Sequence, residues 1–317
     1  MTEDSMPIIR VAYAAANFKA LAETLAEKLS LPLQDAGYNN SEGYNNSEGY
    51  DYLLEFTEQG LVLRPSADKG YGSIFCDFAS SEHSHRRRHG GGNGQAIAKA
   101  VGVSGKFAPQ VLDLTAGLGG DGFVLASLGC KVCMLERNPV VHSLLADGLS
   151  RGVQAGHEYR QQGDDELEQV ISRLSLLEGN AANYLSDLVD KLVGAARKQG
   201  KEQGKEQGKE QDKEQDKERD KAPENEVWRP DIVYVDPMFP LRKKSAKVKK
   251  EMQAFHAIVG IDPDADDLLA NALAVARYRV VVKRPVGAGF LAETKPNYSL
   301  EGKSTRYDIY ALKKLPI

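Results

Sequence analysis

The sequence predicts an α/β protein: a mostly parallel sheet with helices on both faces, preceded by a small α+β domain. Three observations carry this. Residues 111–136, VLDLTAGLGGDGFVLASLGCKVCMLE, read as strand, glycine-dense turn, helix, strand and a closing acid. Further short strand-like runs at 174–177, 232–235 and 279–282 alternate with helical patterns, the arrangement of a parallel sheet with crossover helices. The first 80 residues instead hold a strand, a helix and a hairpin. Boundaries follow: a small α+β domain at 1–80, a basic glycine-rich linker and helix at 81–105, and the main domain at 106–317 with a low-complexity insertion at 194–225.

From the N-terminus, residues 8–12 predict a strand and 18–29 an amphipathic helix. An imperfect repeat, GYNNSEGYNNSEGY at 37–50, is polar and too short for a repeat fold, and reads as an expanded surface loop. Residues 52–65 form a hairpin pattern around Gly60, and 72–78 predict another strand. The linker SSEHSHRRRHGGGNG follows at 80–94, ahead of an apolar helix at 95–101. Its composition fits a solvated tether. Arg86, Arg87 and Arg88 also fit a basic, adaptable loop that contacts phosphates. His83, His85 and His89 lack an accompanying cysteine or carboxylate set, so no metal site is expected.

A chain of 317 residues suffices for one large domain or two unequal ones. Its 41% hydrophobic content is that of a soluble globular protein, no apolar run approaches a membrane span, and the N-terminus carries acids rather than a signal core. Three cysteines are too few for a disulfide framework, so a cytoplasmic location is expected. Cys130 and Cys133 form a CxxC at a strand, where residues three apart face opposite sides, and read as packing residues. The net charge of −4 averages over opposing regions. Acid collects at the N-terminus, in the low-complexity tract and at 262–267, whereas bases cluster at 86–88, 242–250 and 283–284, where local patches could steer a polyanion.

The stretch 111–136 is half of a nucleotide-binding βαβ unit. Gly117, Gly119, Gly120 and Gly122 let backbone amides approach a ligand, and the helix start at Asp121 supplies unpaired N–H groups. Glu136 can accept both hydroxyls of a ribose. Gly117, Gly119 and Gly122 spell GxGxxG, the dinucleotide fingerprint. Asp113 and Asp121 oppose that reading, since carboxylates there repel a pyrophosphate. They suit S-adenosylmethionine (SAM), which brings an ammonium, a sulfonium and no phosphate. A helix cap at Asp121 and a plain turn would leave Asp113 without a purpose.

Beyond Glu136, Pro139 opens a helix whose apolar face lies at 144–149. Gly179 and Asn180 follow the strand at 174–177, where a ligand spanning the first two strand ends would next be touched. The KEQ-rich tract has no hydrophobic residue between Ala196 and Ala222 and reads as a disordered or frayed-helical insertion.

The second chemical stretch, WRPDIVYVDPMFP at 228–240, brings a buried strand that ends in Asp236-Pro237-Met238-Phe239-Pro240. Two prolines hold a rigid backbone at a strand's C-terminal end, where parallel sheets bind ligands. The Asp236 carboxylate and Pro237 carbonyl can accept both N–H groups of an exocyclic amine and aim its lone pair, while Phe239 can stack on the base. A structural turn with a buried Phe is the plainer alternative. Six Lys/Arg follow within nine residues at 242–250, with Lys243, Lys244, Lys247, Lys249 and Lys250 placed to meet phosphates; a solvated helix face is the alternative. A helix is expected at 266–278, a strand at 279–282, a polar loop at 298–305 and a final antiparallel strand at 306–312 on the sheet edge.

Asp-Pro-Met-Phe is close to the (Asp/Asn)-Pro-Pro-(Tyr/Phe) motif of amino-group methyltransferases. With DLTAGLG.DGFVLAS.GC, MLERNPVV, DPMFP, KSA.VKKEM and the HRRR.GGG linker, the chain resembles the bacterial 16S ribosomal RNA guanine-N2 methyltransferases of the J type. The resemblance runs from the first strand to KSTRYDIY near the C-terminus, interrupted by the two low-complexity insertions. It implies a Rossmann-like class I methyltransferase with a seven-stranded sheet, SAM as cofactor, and 16S ribosomal RNA or the small ribosomal subunit as partner, with no membrane and no metal. Carried onto this sequence, the cofactor contacts would be Gly120–Asp121, Glu136–Arg137, Asn180–Ala181 and Asp236. The family usually has small hydroxyl residues where this chain has Asn180 and Ala181. The residues by themselves also admit an adenine-N6 or cytosine-N4 methyltransferase, an NAD-dependent dehydrogenase, or a donor-binding RNA chaperone.

Overall fold

The computed structural model describes residues 7–34, 49–66, 72–80, 92–206, 227–238, 258–260 and 265–316. Most of the 37–50 repeat, Arg86, Arg87 and Arg88 of the linker, Phe239, and Lys243, Lys244, Lys247, Lys249 and Lys250 lie outside the described residues.

The N-terminal part is a three-stranded sheet. β1 (Ile9–Tyr13) leads through α1 (Lys19–Leu29) to β2 (Tyr52–Thr57), which pairs parallel to β1 and antiparallel to β3 (Gly60–Pro65). Gly60 sits at the hairpin with φ 111, a conformation that favours glycine. The segment 72–78 was expected to add a strand and does not. Its Ile74, Cys76 and Phe78 are buried in alternation, which mimics a strand, but only Ile74 exchanges backbone hydrogen bonds with Leu63. Cys76 and Phe78 pack instead into the main core, where Phe78 stacks on Phe123 at 5.1 Å.

The main part is a seven-stranded sheet of order β6-β5-β4-β7-β8-β10-β9. Following α2 (Ala96–Val101), the first half comprises β4 (Gln110–Asp113), α3 (Gly120–Ser127), β5 (Lys131–Glu136), α4 (Pro139–Gln161), α5 (Glu166–Ile171), β6 (Leu174–Glu178) and α6 (Ala181–Glu206). Then come β7 (Ile232–Val235), α7 (Leu268–Val275), β8 (Arg279–Pro285), β9 (Tyr298–Glu301) and β10 (Thr305–Ala311). β6, β5, β4, β7 and β8 are mutually parallel, and β10 runs antiparallel to both neighbours.

Helices cover both faces, as the apolar strands demand. Ile97 of α2, Phe123 and Leu125 of α3 and Leu167 and Ile171 of α5 pack with Val111, Val132, Ile232 and Val281. Leu185 and Leu188 of α6 and Leu268, Leu269 and Ala272 of α7 pack with Leu112, Leu135, Val233 and Val282 on the other face. The N-terminal sheet is not separate from this body. Tyr52, Leu54, Leu61 and Leu63 bury against Val140, Val141 and Leu144 of α4, each such side chain contributing about 1.5–3 kcal/mol.

Three expectations at the C-terminal end are corrected. The helix expected at 266–278 spans only Leu268–Val275, because the amides of Arg277 and Tyr278 donate to the carbonyls of Pro230 and Asp231 and begin the pairing of β8. The polar loop expected at 298–305 contains β9, whose Ser299 hydroxyl reaches Asp308 on β10. β9 is therefore the edge, and β10, expected there, lies inside the sheet. The KEQ tract enters as the end of α6, which continues to Glu206.

Candidate active site

The glycine loop is closed by the acid of the next strand. β4 ends at Asp113, and the chain turns through Gly117 (φ 56) and Gly119 (φ 76), conformations that a side chain would strain. α3 begins at Gly120, where a Cβ would meet open space, so backbone there is accessible to a ligand. Glu136 is 5% exposed; its Oε2 accepts the Gly117 N–H at 2.9 Å and its Oε1 the Asn138 N–H at 2.7 Å. One buried carboxylate thus ties the turns after β4 and β5 together. Arg137 follows, half-buried. Asn138 caps α4 by accepting from Val140 and Val141, with Pro139 in the first turn. Asn180 does the same for α6: its Oδ1 accepts from Ala182 and Asn183, beside a buried Ala181.

Sheet register assembles the rest. Asp113 pairs with Tyr234, and Val235 with Val282, so Asp236 and Lys283 are the next residues along neighbouring strands; Tyr307 lies directly across from Lys283. The Lys283 Nζ donates to Asp121 Oδ2 at 2.8 Å and to Asp236 Oδ2 at 2.9 Å. The Tyr234 hydroxyl donates to the same Asp121 oxygen at 2.6 Å. Thr115 joins the two turns: its hydroxyl accepts the Asp236 N–H at 2.7 Å, and its own N–H donates to Asp113 Oδ1 at 3.0 Å. Pro237 is buried beside them.

Two carboxylates, Asp121 and Asp236, therefore meet one ammonium, and Asp113 lies near enough to feel all three charges. Burial by itself would lower the Lys283 pKa, but Asp236 and Asp121 outweigh it and hold the ammonium above the ordinary lysine range. Burial pushes the hydroxyls of Tyr234 and Tyr307 up as well, Tyr307 to about 12, and nearby Asp121 adds to both, so they remain donors. The surplus of negative charge suits a cationic ligand and opposes a pyrophosphate. The residues thus fit SAM, whose ammonium and sulfonium are cations, and the open backbone at Gly120 gives it room.

Burial pushes the Asp113 carboxyl up to about 7, with Asp121 and Asp236 acting in the same direction and the Thr115 amide and Lys283 against it. In the unfolded chain it titrates near 4. Folded protein therefore binds the proton more tightly across this window, and stability falls as pH rises from about 4 to about 7. Asp113→Asn is expected to raise the unfolding free energy by about 2 kcal/mol at pH 8, with the gain fading towards pH 4. Thermal unfolding of both proteins against pH checks this; a gain that is level across the range contradicts it.

Of the residues singled out in the sequence, Asp113, Asp121 and Asp236 converge, and Glu136 meets Gly117. Asn180 and Ala181 open α6 just after Gly179, whose N–H donates to the Glu136 carbonyl at 3.0 Å. Lys283 and Arg284, read as part of a basic patch, are corrected. Lys283 turns inward to the carboxylates, while Arg284 is buried on the opposite face and donates to the Gly289 carbonyl. Lys283, Tyr234 and Thr115 were not anticipated as site residues. The available signal was a lysine directly after three buried-strand valines, Val280–Val282, inside β8.

A family model of SAM-dependent methyltransferases matches residues 40–195 and 196–312. The ribosomal RNA small subunit methyltransferase J of Cellvibrio japonicus is 43% identical over 98% of this chain and 99% of its own. The enzyme of the same name from Pseudomonas aeruginosa is 42% identical over 99% of each. The crystal structure of a SAM-dependent methyltransferase from Neisseria gonorrhoeae superposes with a TM-score of 0.61 at 30% identity, covering 95% of both chains.

Proposed function

The chain belongs to the ribosomal RNA small subunit methyltransferase J family of SAM-dependent methyltransferases, and from that premise we propose that it methylates the exocyclic N2 of one guanosine in 16S ribosomal RNA. The observation that carries this is the junction of the two turns: Asp236 is held against the glycine loop through Thr115 and against Asp121 through Lys283. A group bound to the Asp236-Pro237 turn is thereby presented to a ligand seated on the loop.

When bound, SAM supplies a methyl group on a positively charged sulfur that leaves with the electron pair of the broken C–S bond. Asp113, the loop from Gly117 through Gly119 and Gly120 to Asp121, Glu136 with Arg137, Asn180 with Ala181, and Asp236 would hold and orient the cofactor, with Glu136 the acceptor for the ribose hydroxyls. A guanine N2 is a weak nucleophile because its lone pair is delocalised into the ring. The Asp236 carboxylate and Pro237 carbonyl accept its two N–H groups and favour a pyramidal nitrogen whose lone pair faces the methyl. Phe239 stacks on the base. After the N–C bond forms, the surplus proton on N2 passes to the Asp236 carboxylate and on to solvent. Arg86, Arg87, Arg88, Lys243, Lys244, Lys247, Lys249 and Lys250 hold RNA phosphates, a reading supported by their charge and, for the five lysines, by their position in the chain just after the catalytic turn. A ribosomal substrate supports a cytoplasmic location for the enzyme. Among the described residues no helix is long and apolar enough to cross a membrane.

The test is transfer of labelled methyl from SAM to small ribosomal subunits, and to RNA stripped from them, both taken from cells lacking this enzyme. Digestion to nucleosides should place the label in N2-methylguanosine; label in N6-methyladenosine or N4-methylcytidine would overturn the base assignment. Attack by the amine is direct and needs no thiol. Burial pushes the thiols of Cys76 and Cys130 up to about 12 and raises Cys133, so none is poised as a nucleophile. Cys130→Ala and Cys133→Ala are expected to keep kcat within about threefold of wild type; a folded variant without turnover would refute the direct mechanism.

A further inference from the structure

We propose that Lys283 is a positioning residue for methyl transfer, its ammonium holding the Asp236 carboxylate of the acceptor turn against Asp121 of the cofactor loop. The inference deepens the proposed function and rests on it. Lys283 lies 162 positions from Asp121 and 47 from Asp236, yet reaches one oxygen of each within 2.9 Å. It is the shared tie between a residue at the start of α3 and the turn that follows β7.

Two physical consequences follow. First, Asp236 can receive an amine with the right lone-pair direction only if its carboxylate plane is fixed, and a carboxylate following a strand end has free rotation about two bonds. A contact to Lys283 at one oxygen removes that freedom, while the Thr115 hydroxyl fixes the backbone N–H of the same residue. Second, Asp113, Asp121 and Asp236 repel one another. Lys283 is the cation hydrogen-bonded to two of them, so it sets how closely the acceptor turn approaches the loop. The Tyr234 hydroxyl on the shared Asp121 oxygen fixes that carboxylate from the other side.

A residue that merely stabilised the fold would change the melting temperature and leave the chemistry of the folded fraction intact. A positioning residue acts on kcat. Lys283→Gln is expected to bind SAM within about threefold of wild type and to lower kcat about 30- to 100-fold. Loss of the ammonium also removes a charge that opposes the upward shift of the Asp113 carboxyl, so the acid limb of the kcat profile should move to higher pH. Lys283→Arg keeps the charge, but its broader fork displaces Asp236, so kcat should fall about tenfold with the acid limb unmoved.

Calorimetric titration of SAM, thermal unfolding and kcat against pH on small ribosomal subunits, run on wild type and both variants, decide the matter. A Lys283→Gln protein that folds, works within about threefold of wild type and keeps its acid limb overturns the proposal. Should Lys283→Gln fail to fold, Lys283→Arg decides alone: a folded arginine variant with wild-type kcat overturns it, and a tenfold loss at unchanged SAM affinity supports it. Wild-type protein is the control for the underlying function. If it transfers no methyl group, the reading of the enzyme fails; if it does and the variants match it, only the role of Lys283 fails.

Discussion

Asp236→Ala is expected to lower kcat for methyl transfer at least about 1000-fold, while weakening SAM binding by no more than about tenfold. The size follows from what one side chain does at once. Its carboxylate meets Lys283 at 2.9 Å and, in the proposed mechanism, accepts an N–H of the amine and takes up the proton that N2 must lose. Alanine removes all three and leaves Lys283 bonded to Asp121 alone of the two. Cofactor binding is expected to survive because the bond between Glu136 and the Gly117 N–H does not involve this side chain. Single-turnover transfer alongside calorimetric titration separates the two effects. An alanine variant that retains a tenth of wild-type kcat would exclude Asp236 from the chemistry and favour a SAM-binding protein that handles RNA without modifying it.

Glu136→Ala produces the second large effect, and it falls on binding. The side chain is nearly fully buried and both oxygens are engaged by backbone N–H groups of Gly117 and Asn138. Its removal leaves two amides without their acceptor, costing about 2–3 kcal/mol of stability, and deletes the acceptor for a ribose. SAM affinity should fall about 100-fold or more, equivalent to about 3 kcal/mol. Titrating SAM and NAD into wild type and the variant checks both halves of the argument. Heat from SAM alone, weakened by the substitution, is the expected result. Heat from NAD alone would replace the methyl donor with a dinucleotide and remove the basis for the RNA chemistry.

Much of this protein is legible in single stretches of chain. The strand, glycine loop, helix and strand at 110–136 form as the residues predict, because β-branched runs, glycines with positive φ and apolar spacing act over a few residues. The same holds for the hairpin around Gly60 and for α4, where Asn138 and Pro139 start the helix. Asp113, Asp121, Glu136 and Asp236 could be singled out because an acid at a strand's end or in a phosphate-type loop contradicts the surrounding pattern unless a ligand explains it.

What only the tertiary structure decided is everything that depends on register between distant strands. Alternating burial of Ile74, Cys76 and Phe78 looks like a strand locally, yet only a neighbour's free edge can supply a ladder, and Leu63 alone pairs there. β10 entered the sheet between β8 and β9, although its sequence suits an edge equally well. Lys283 reads in the chain as half of a basic pair with Arg284. Strand alternation sends the two to opposite faces, one to the carboxylates of the site and the other to the Gly289 carbonyl. Local propensity acts over neighbours in sequence, whereas the charge a lysine will meet is set by which strand packs beside it.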